Sequence, residues 1–242
     1  MSTAGVRVGS DMKSLRAGVS RDAYEGTRRA IENLVRRKKV PLQEIAAVVT
    51  AGAEGRISGH LAVFPLGPLA CRSGCFYCCH VPRVLVTVPE LAAIADAIRE
   101  RPPADVDALV QRIEQYLEQH VEPDGADTFI PGTLLPCPLL VDTRCLVYDV
   151  RPLVCRTEHS CDAAECELQF RTGAGQTLQC ALVLETTDGT LRGVADGFRS
   201  VGLRGELMDL SRALRVVLEN PRAIEQWLAG GLSLMPAAVC DT

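Results

Sequence analysis

Cys71-Arg72-Ser73-Gly74-Cys75-Phe76-Tyr77-Cys78-Cys79-His80 decides the reading of this chain. Four cysteines fall within nine residues, and a histidine follows at once. Core packing has no need of four thiols so close together. Metals of intermediate softness prefer thiolate ligands, and cysteines two residues apart can reach one ion from a tight turn. Cys75 and Cys78 have that spacing, Cys71 lies just upstream, and Gly74 lets the backbone turn. Cys78 and Cys79 are neighbours, and consecutive side chains generally point apart. The pair therefore implies two ions, or one ligand and one differently used thiol. The stretch points to a metal–thiolate centre, with the rest of the chain as its scaffold.

Outward from it, Cys137, Cys145, Cys155, Cys161 and Cys166 would have to return to the same place through the fold. Cys161 reads as a spare ligand, and Cys180 and Cys240 as ordinary small residues. Eleven cysteines in all, an odd number, argue against a complete disulfide framework. The first ten residues contain no apolar signal region, so the expected setting is a reducing, cytoplasmic one, where clustered cysteines read as ligands or catalytic groups. No run of 18 apolar residues occurs, so no membrane span is expected. The net charge of −4 excludes a generic nucleic-acid binder. Residues 1–40 are nonetheless basic, with ten Lys/Arg against four Asp/Glu, a net of +6 that leaves −10 for the remainder. The run Arg36-Arg37-Lys38-Lys39 suits the C-terminal end of a helix dipole or an acidic partner.

With 47% hydrophobic and only 4% aromatic residues, the composition favours helices. The expected organisation is a disordered leader over 1–10, a helical segment over 11–69, a cysteine-cluster domain over 70–170 and a helical segment over 171–242 packed on it. Periodicity predicts a helix from Asp11 to Lys39, a second over 42–51, and an irregular connection over 52–68. Thr87, Pro89 and Glu90 form a helix start with a capping box, and Leu91, Ile94, Ala95 and Ile98 its buried stripe. Pro102-Pro103 ends it, and another amphipathic helix runs to about Val121. Residues 134–141 and 145–148 predict a small β-hairpin around Asp142-Thr143-Arg144. Asp162 to Arg171 reads as a helix broken by Gly173. Helices are also expected over 187–201, weakened by Gly189, Gly193 and Gly197, then over 206–218, and around Trp227 over 221–228. The fold expected is mainly α with a small β-hairpin, a helical domain built around a cysteine-rich metal centre.

Taken together, the motifs resemble the CxxCxxCC family, the YkgJ-type cysteine-cluster proteins, a zinc- or iron-chelating domain. Its compact first run is matched by Cys71, Cys75, Cys78 and Cys79, with three residues between Cys71 and Cys75 where the family name implies two. Its Cys-Pro-x-Leu segment is matched by Cys137-Pro138-Leu139-Leu140. Its Cys-x-x-Tyr-x-x-Arg-Pro-x-x-Cys-Arg segment is matched from Cys145 through Tyr148, Arg151 and Pro152 to Cys155 and Arg156. Cys166 supplies the eighth cysteine. The resemblance covers about residues 70–170 and implies zinc or iron held by these eight cysteines. The family includes flagellin lysine N-methylases, so the resemblance implies an activity only weakly.

Eight thiolates exceed one four-coordinate site. Two zinc ions, or one [4Fe-4S] cluster plus a further site, would use them. The adjacent pair and the flanking arginines lean the reading to iron–sulfur. Arg151 and Arg156 could offset thiolate charge or hold an anionic substrate. Tyr148 could hydrogen-bond a cluster sulfur, though packing in the hairpin is its plainer role, and His80 and His159 could be ligands or proton donors. Cys71, Cys75 and Cys78 spell the CxxxCxxC pattern of radical enzymes, but the chain lacks the strand–helix alternation of a barrel. No phosphate loop, nucleophile elbow or HExxH occurs. Three functions stay open: a metal-binding protein, an iron–sulfur enzyme that modifies a protein or small molecule, and a structural metal site in an interaction module.

Overall fold

A computed structural model describes residues 4–37, 40–63, 69–72, 74–80, 83–119, 135–174, 177 and 179–239. The described residues are mainly helical, with two small antiparallel sheets of two strands each. They divide into two compact units, one of residues 1–66 with 179–205 and the other of residues 67–178 with 206–242. The C-terminal stretch therefore splits, where the sequence suggested one segment.

The first unit consists of α1 (Ala4–Arg36), α2 (Leu42–Val63) and a long helix, Ala181–Ser200, which becomes α7 in chain order. Helix α1 begins inside the stretch expected to be a leader. It lies alongside the 181–200 helix in the same direction, since Arg16 bridges to Glu185, Tyr24 donates to Asp196 at 3.0 Å and Ser200 donates to Glu32 at 2.9 Å. The glycines expected to weaken that helix are where it meets α1. A methyl group on Gly193 would stand 2.6 Å from the Tyr24 carbonyl, and one on Gly197 would stand 2.7 Å from Ile31 Cβ. Close approach, not flexibility, is their role. The facing side of α1 is accordingly small, with Ser20, Ala23 and Thr27 buried beside Val19 and Ile31. Helix α2 continues through Gly52, Gly55 and Gly59, past the expected break, because Ile45, Ala46, Val49 and Ala53 are buried and tertiary packing overrides propensity.

The second unit is assembled from shorter pieces. Its helices are α3 (Val88–Arg99), α4 (Pro103–Gln119), α5 (Leu153–Thr157), α6 (Ala163–Thr172), α8 (Leu210–Glu219) and α9 (Ala223–Leu228). Leu91, Ile94 and Ile98 of α3, Leu109 and Ile113 of α4, and Leu210 and Leu214 of α8 are buried together with Leu139, Leu153, Met208 and Trp227. Strand β1 (Leu85–Val86) pairs with β4 (Met208–Asp209), so the extended stretch before α3 finds a partner that periodicity had assigned to a helix. Asp209 ends that strand and caps α8, accepting from Arg212 N at 2.8 Å. The predicted hairpin exists in shorter form, β2 (Leu140–Val141) against β3 (Arg144–Cys145). Asp142 and Thr143 take positive φ of 47° and 63°, the two-residue turn whose twist suits a hairpin.

Candidate metal centre

The second unit brings the cysteine segments together by identifiable contacts. The first run ends in a 3-10 turn, Tyr77–Cys79. Cys137 N donates to the Cys79 carbonyl at 2.8 Å, which seats the Cys-Pro segment against the end of the run. Hairpin pairing sets Cys145 opposite Leu140. Helix α5 carries Cys155, and α6 carries Cys166 after an N-cap by Asp162, whose carboxylate accepts from Ala164 N at 2.8 Å.

Side chains from α3 and α4 fix the second half of the cluster. Arg101, just after α3, donates to the Leu146 carbonyl, and Arg112 Nε donates to the Pro138 carbonyl at 3.0 Å. Glu90 is buried and accepts three hydrogen bonds, from Thr87 N at 2.9 Å, Thr87 Oγ1 at 2.6 Å and Leu153 N at 2.7 Å. The capping box read from the sequence thus has a second task. Its carboxylate also holds the first residue of α5, two positions before Cys155. Glu90 was legible only as a cap, and Arg101 and Arg112 gave no signal, because their partners are backbone carbonyls distant in sequence.

The thiols lie in overlapping groups, since Cys78 acts on both Cys71 and Cys155. Cys71 lies beside Ser160, whose N–H donates to its sulfur at 3.3 Å, while Ala70 N donates to the Ser160 carbonyl at 2.9 Å. Burial pushes the Cys71 thiol up, the Ser160 contact opposes this, and the negative charges of Cys75, Cys78 and Cys166 add to the rise. Burial pushes Cys137 up to about 11, with Cys145 and Asp209 adding to it. Burial likewise raises Cys155, reinforced by Cys137, Cys145 and Cys78. Burial raises Cys145 too, while the Val147 backbone and the guanidinium groups of Arg151 and Arg101 pull it down. Cys78 is raised chiefly by its hydrogen bond with Cys79. Crowded, partly desolvated thiols resist ionisation without a cation, and a thiolate-binding metal relieves both penalties as it displaces the protons. The donor set suits zinc or iron in this respect. Among the described residues no three Cys, His, Asp or Glu side chains already stand in a metal-ligating arrangement.

The remaining candidates occupy definite places. His80 packs its ring on Phe170, with centroids 4.6 Å apart, and its Nδ1 lies 3.2 Å from the Phe76 carbonyl. His159 is buried, with Nδ1 2.7 Å from the Thr157 carbonyl. Tyr148 does not pack inside the hairpin. It is 54% exposed and serves as a platform for Arg151, whose guanidinium carbon sits 3.9 Å above the ring. Arg151 also has a buried Nε without a hydrogen-bond partner. Arg156 turns back on its own segment, donating to the Arg151 carbonyl at 3.0 Å and to the Asp149 carbonyl. Cys161 is half-buried. Cys180 belongs to the first unit, where it packs with Val19, Leu182 and Val183. Cys240 lies outside the described residues.

Residues 70–180 match the sequence model of the CxxCxxCC family, described as "Putative zinc- or iron-chelating domain". The match covers just under half of the chain. No curated protein and no solved structure matches the chain. The match spans Cys71, Cys75, Cys78, Cys79, Cys137, Cys145, Cys155 and Cys166, and both it and the thiol content support metal binding. Among the described residues no helix is long and apolar enough to cross a membrane.

Proposed function

We propose that the CxxCxxCC domain of this protein holds zinc or iron through the thiolates of Cys71, Cys75, Cys78, Cys79, Cys137, Cys145, Cys155 and Cys166. One observation supports the reading: Cys137 N donates to the Cys79 carbonyl, and thiols of the run, the hairpin, α5 and α6 lie close enough to act on one another electrostatically. Of the two metal chemistries, iron–sulfur is the one we favour. Neighbouring thiols and the cations Arg101 and Arg151 beside Cys145 suit an anionic cluster whose charge needs offsetting. In that reading Arg151, stacked on Tyr148, sets the potential around Cys145, Arg156 braces the turn that carries Cys155, and His80 with Phe170 shields one side from water. The metal supplies either rigidity or electron transfer, and the cytoplasm supplies the reduced thiols. Anaerobic purification followed by elemental analysis and an absorption spectrum tests it. Iron with inorganic sulfide and a broad absorption band in the visible blue is the expected result. Zinc without colour would leave metal binding standing and remove the cluster. Absence of both metals would end the reading.

A second reading, an enzyme for redox or group transfer on an anionic small molecule or protein segment, is favoured by one feature. A cavity of about 570 Å³ is lined by Arg101, Arg144 and Cys145 with the hairpin turn. It sets cationic side chains beside a proposed ligand. The discriminating experiment soaks the metal-loaded protein with small carboxylates and phosphate and follows the metal spectrum. A spectral change in the native protein that Arg144→Ala abolishes is expected if the cavity feeds the centre.

A further inference from the structure

We infer that Cys78 and Cys79 are a redox pair, closing reversibly into a disulfide between neighbouring residues, and that this bond decides whether the cysteine run can take up metal. The pair itself stands on the geometry of the run, and only its effect on loading rests on the metal-binding reading above.

Consecutive side chains generally point apart, and the sequence left two uses for these neighbours: two ions, or a ligand beside a differently used thiol. The structure turns the two side chains together, and they hydrogen-bond each other. The backbone gives the reason. Tyr77–Cys79 is a 3-10 turn, with Cys79 N donating to the Phe76 carbonyl at 2.9 Å and His80 N to the Tyr77 carbonyl at 3.3 Å. Such a turn sets successive side chains about 120° apart around its axis, against about 180° in a strand. The turn is also held from outside. Cys137 N donates to the Cys79 carbonyl at 2.8 Å, and Phe76, Tyr77 and His80 pack on Phe170. Both thiols are free, Cys78 is exposed and Cys79 is half-buried, so the pair is open to a small reagent from the Cys78 side.

The oxidant we assign is a low-molecular-weight disulfide, RS–SR. One sulfur of the pair, as thiolate, attacks it. The S–S bond of the reagent breaks, RS⁻ leaves and takes up a proton, and a mixed disulfide remains on the protein. The neighbouring thiol, already in contact, gives up its proton and attacks the protein-bound sulfur, expelling the second RS⁻. In sum two protein thiols lose two protons and two electrons, and RS–SR becomes two RSH. The hydrogen bond with Cys79 holds the Cys78 proton, so the first step is the slow one and closure within the pair is fast. Neighbouring Cα atoms stand about 3.8 Å apart across a trans peptide, short of the roughly 4.4–6.8 Å that disulfides usually span. The bond is therefore strained and readily reduced, which suits a switch better than a staple. Metals bind thiolates, and a sulfur in a disulfide has no such charge to offer. Bound metal thus guards the pair, and the closed pair keeps metal out until reductant returns.

Oxidised glutathione is the probe. The reduced, metal-stripped full-length protein is treated with it anaerobically, remaining thiols are alkylated, and the tryptic peptide 73–83, which holds Cys75, Cys78 and Cys79, is sequenced by mass spectrometry. The expected peptide lacks two hydrogens, carries its alkyl group on Cys75 and retains no glutathione. Cys75→Ser should keep the bond, and Cys79→Ser should stop at glutathione on Cys78. Cys78→Ser decides instead if circular dichroism shows Cys79→Ser to be unfolded. A bond that includes Cys75, or alkyl groups on both Cys78 and Cys79, overturns the pair. Native mass spectrometry then counts zinc. The oxidised parent should take up less than the reduced one, dithiothreitol should restore the difference, and parent loaded with zinc beforehand should resist glutathione. Equal uptake by the two forms overturns the control of loading. A reduced parent that takes up neither zinc nor iron overturns the metal-binding reading and the control with it, while the peptide map still decides the bond.

Discussion

The two units of this chain are stabilised in different ways. The first joins helices of 33, 22 and 20 residues through long interfaces, with small side chains and glycines letting backbones approach. The second holds strands of only two residues and a five-residue helix. Isolated strands that short have little stability of their own. In their place the second unit uses single polar side chains, the buried Glu90 and the half-buried Arg101 and Arg112, to tether loops to its helical core. The lesson is that helix packing needs no metal, whereas a loop cluster of thiols gains rigidity from one.

Metal removal is the strongest way to break this contrast. Chelation under reducing conditions should abolish hydrogen-exchange protection around the hairpin, α5 and α6 and leave α1 and α7 protected. Structural zinc contributes on the order of 10 kcal/mol in small domains. Equal loss in both units would end the comparison. Glu90→Ala comes next. It leaves the N–H groups of Leu153 and Thr87 unsatisfied at about 1–3 kcal/mol each, and it should weaken metal retention against a chelator about 10-fold. Urea unfolding and chelator competition check both effects.

Gly193→Ala sharpens the contrast from the other side. Helix propensity alone predicts a gain of about 1 kcal/mol, but the new methyl group meets the Tyr24 carbonyl. A net loss of about 1–3 kcal/mol is expected from overpacking, with metal content unchanged. The smallest effect concerns alkaline pH. The hydrogen bond to Asp196 raises the Tyr24 hydroxyl above its usual value, with burial adding to it. The folded state then holds its proton when the unfolded state has begun to lose it, so this contribution is present below about pH 10 and fades as pH rises through the raised value. Tyr24→Phe should flatten the fall in thermal midpoint above pH 10, seen by circular dichroism of the helices.

Some of this was written in the sequence. The spacing of Cys71, Cys75, Cys78 and Cys79 pointed to metal binding, which the family match supports, because few other roles need thiols at that density. The capping box at Thr87 and Glu90, the caps of α6 at Asp162 and Gly173, and the hairpin turn at Asp142 and Thr143 were legible because each is local chemistry within a few residues. Tertiary structure alone decided the rest. The strand at Met208 and Asp209 exists because β1 offers it a ladder, and a two-residue strand has no periodicity to read. Gly189, Gly193 and Gly197 looked like weak points of a helix until α1 was laid against them. Glu90 holds Leu153 across 63 positions of chain, a contact that only the packed core could create. The opening run thus supplied the candidate donor atoms, and the fold decided which chain segments meet it, as where Cys137 N reaches the Cys79 carbonyl.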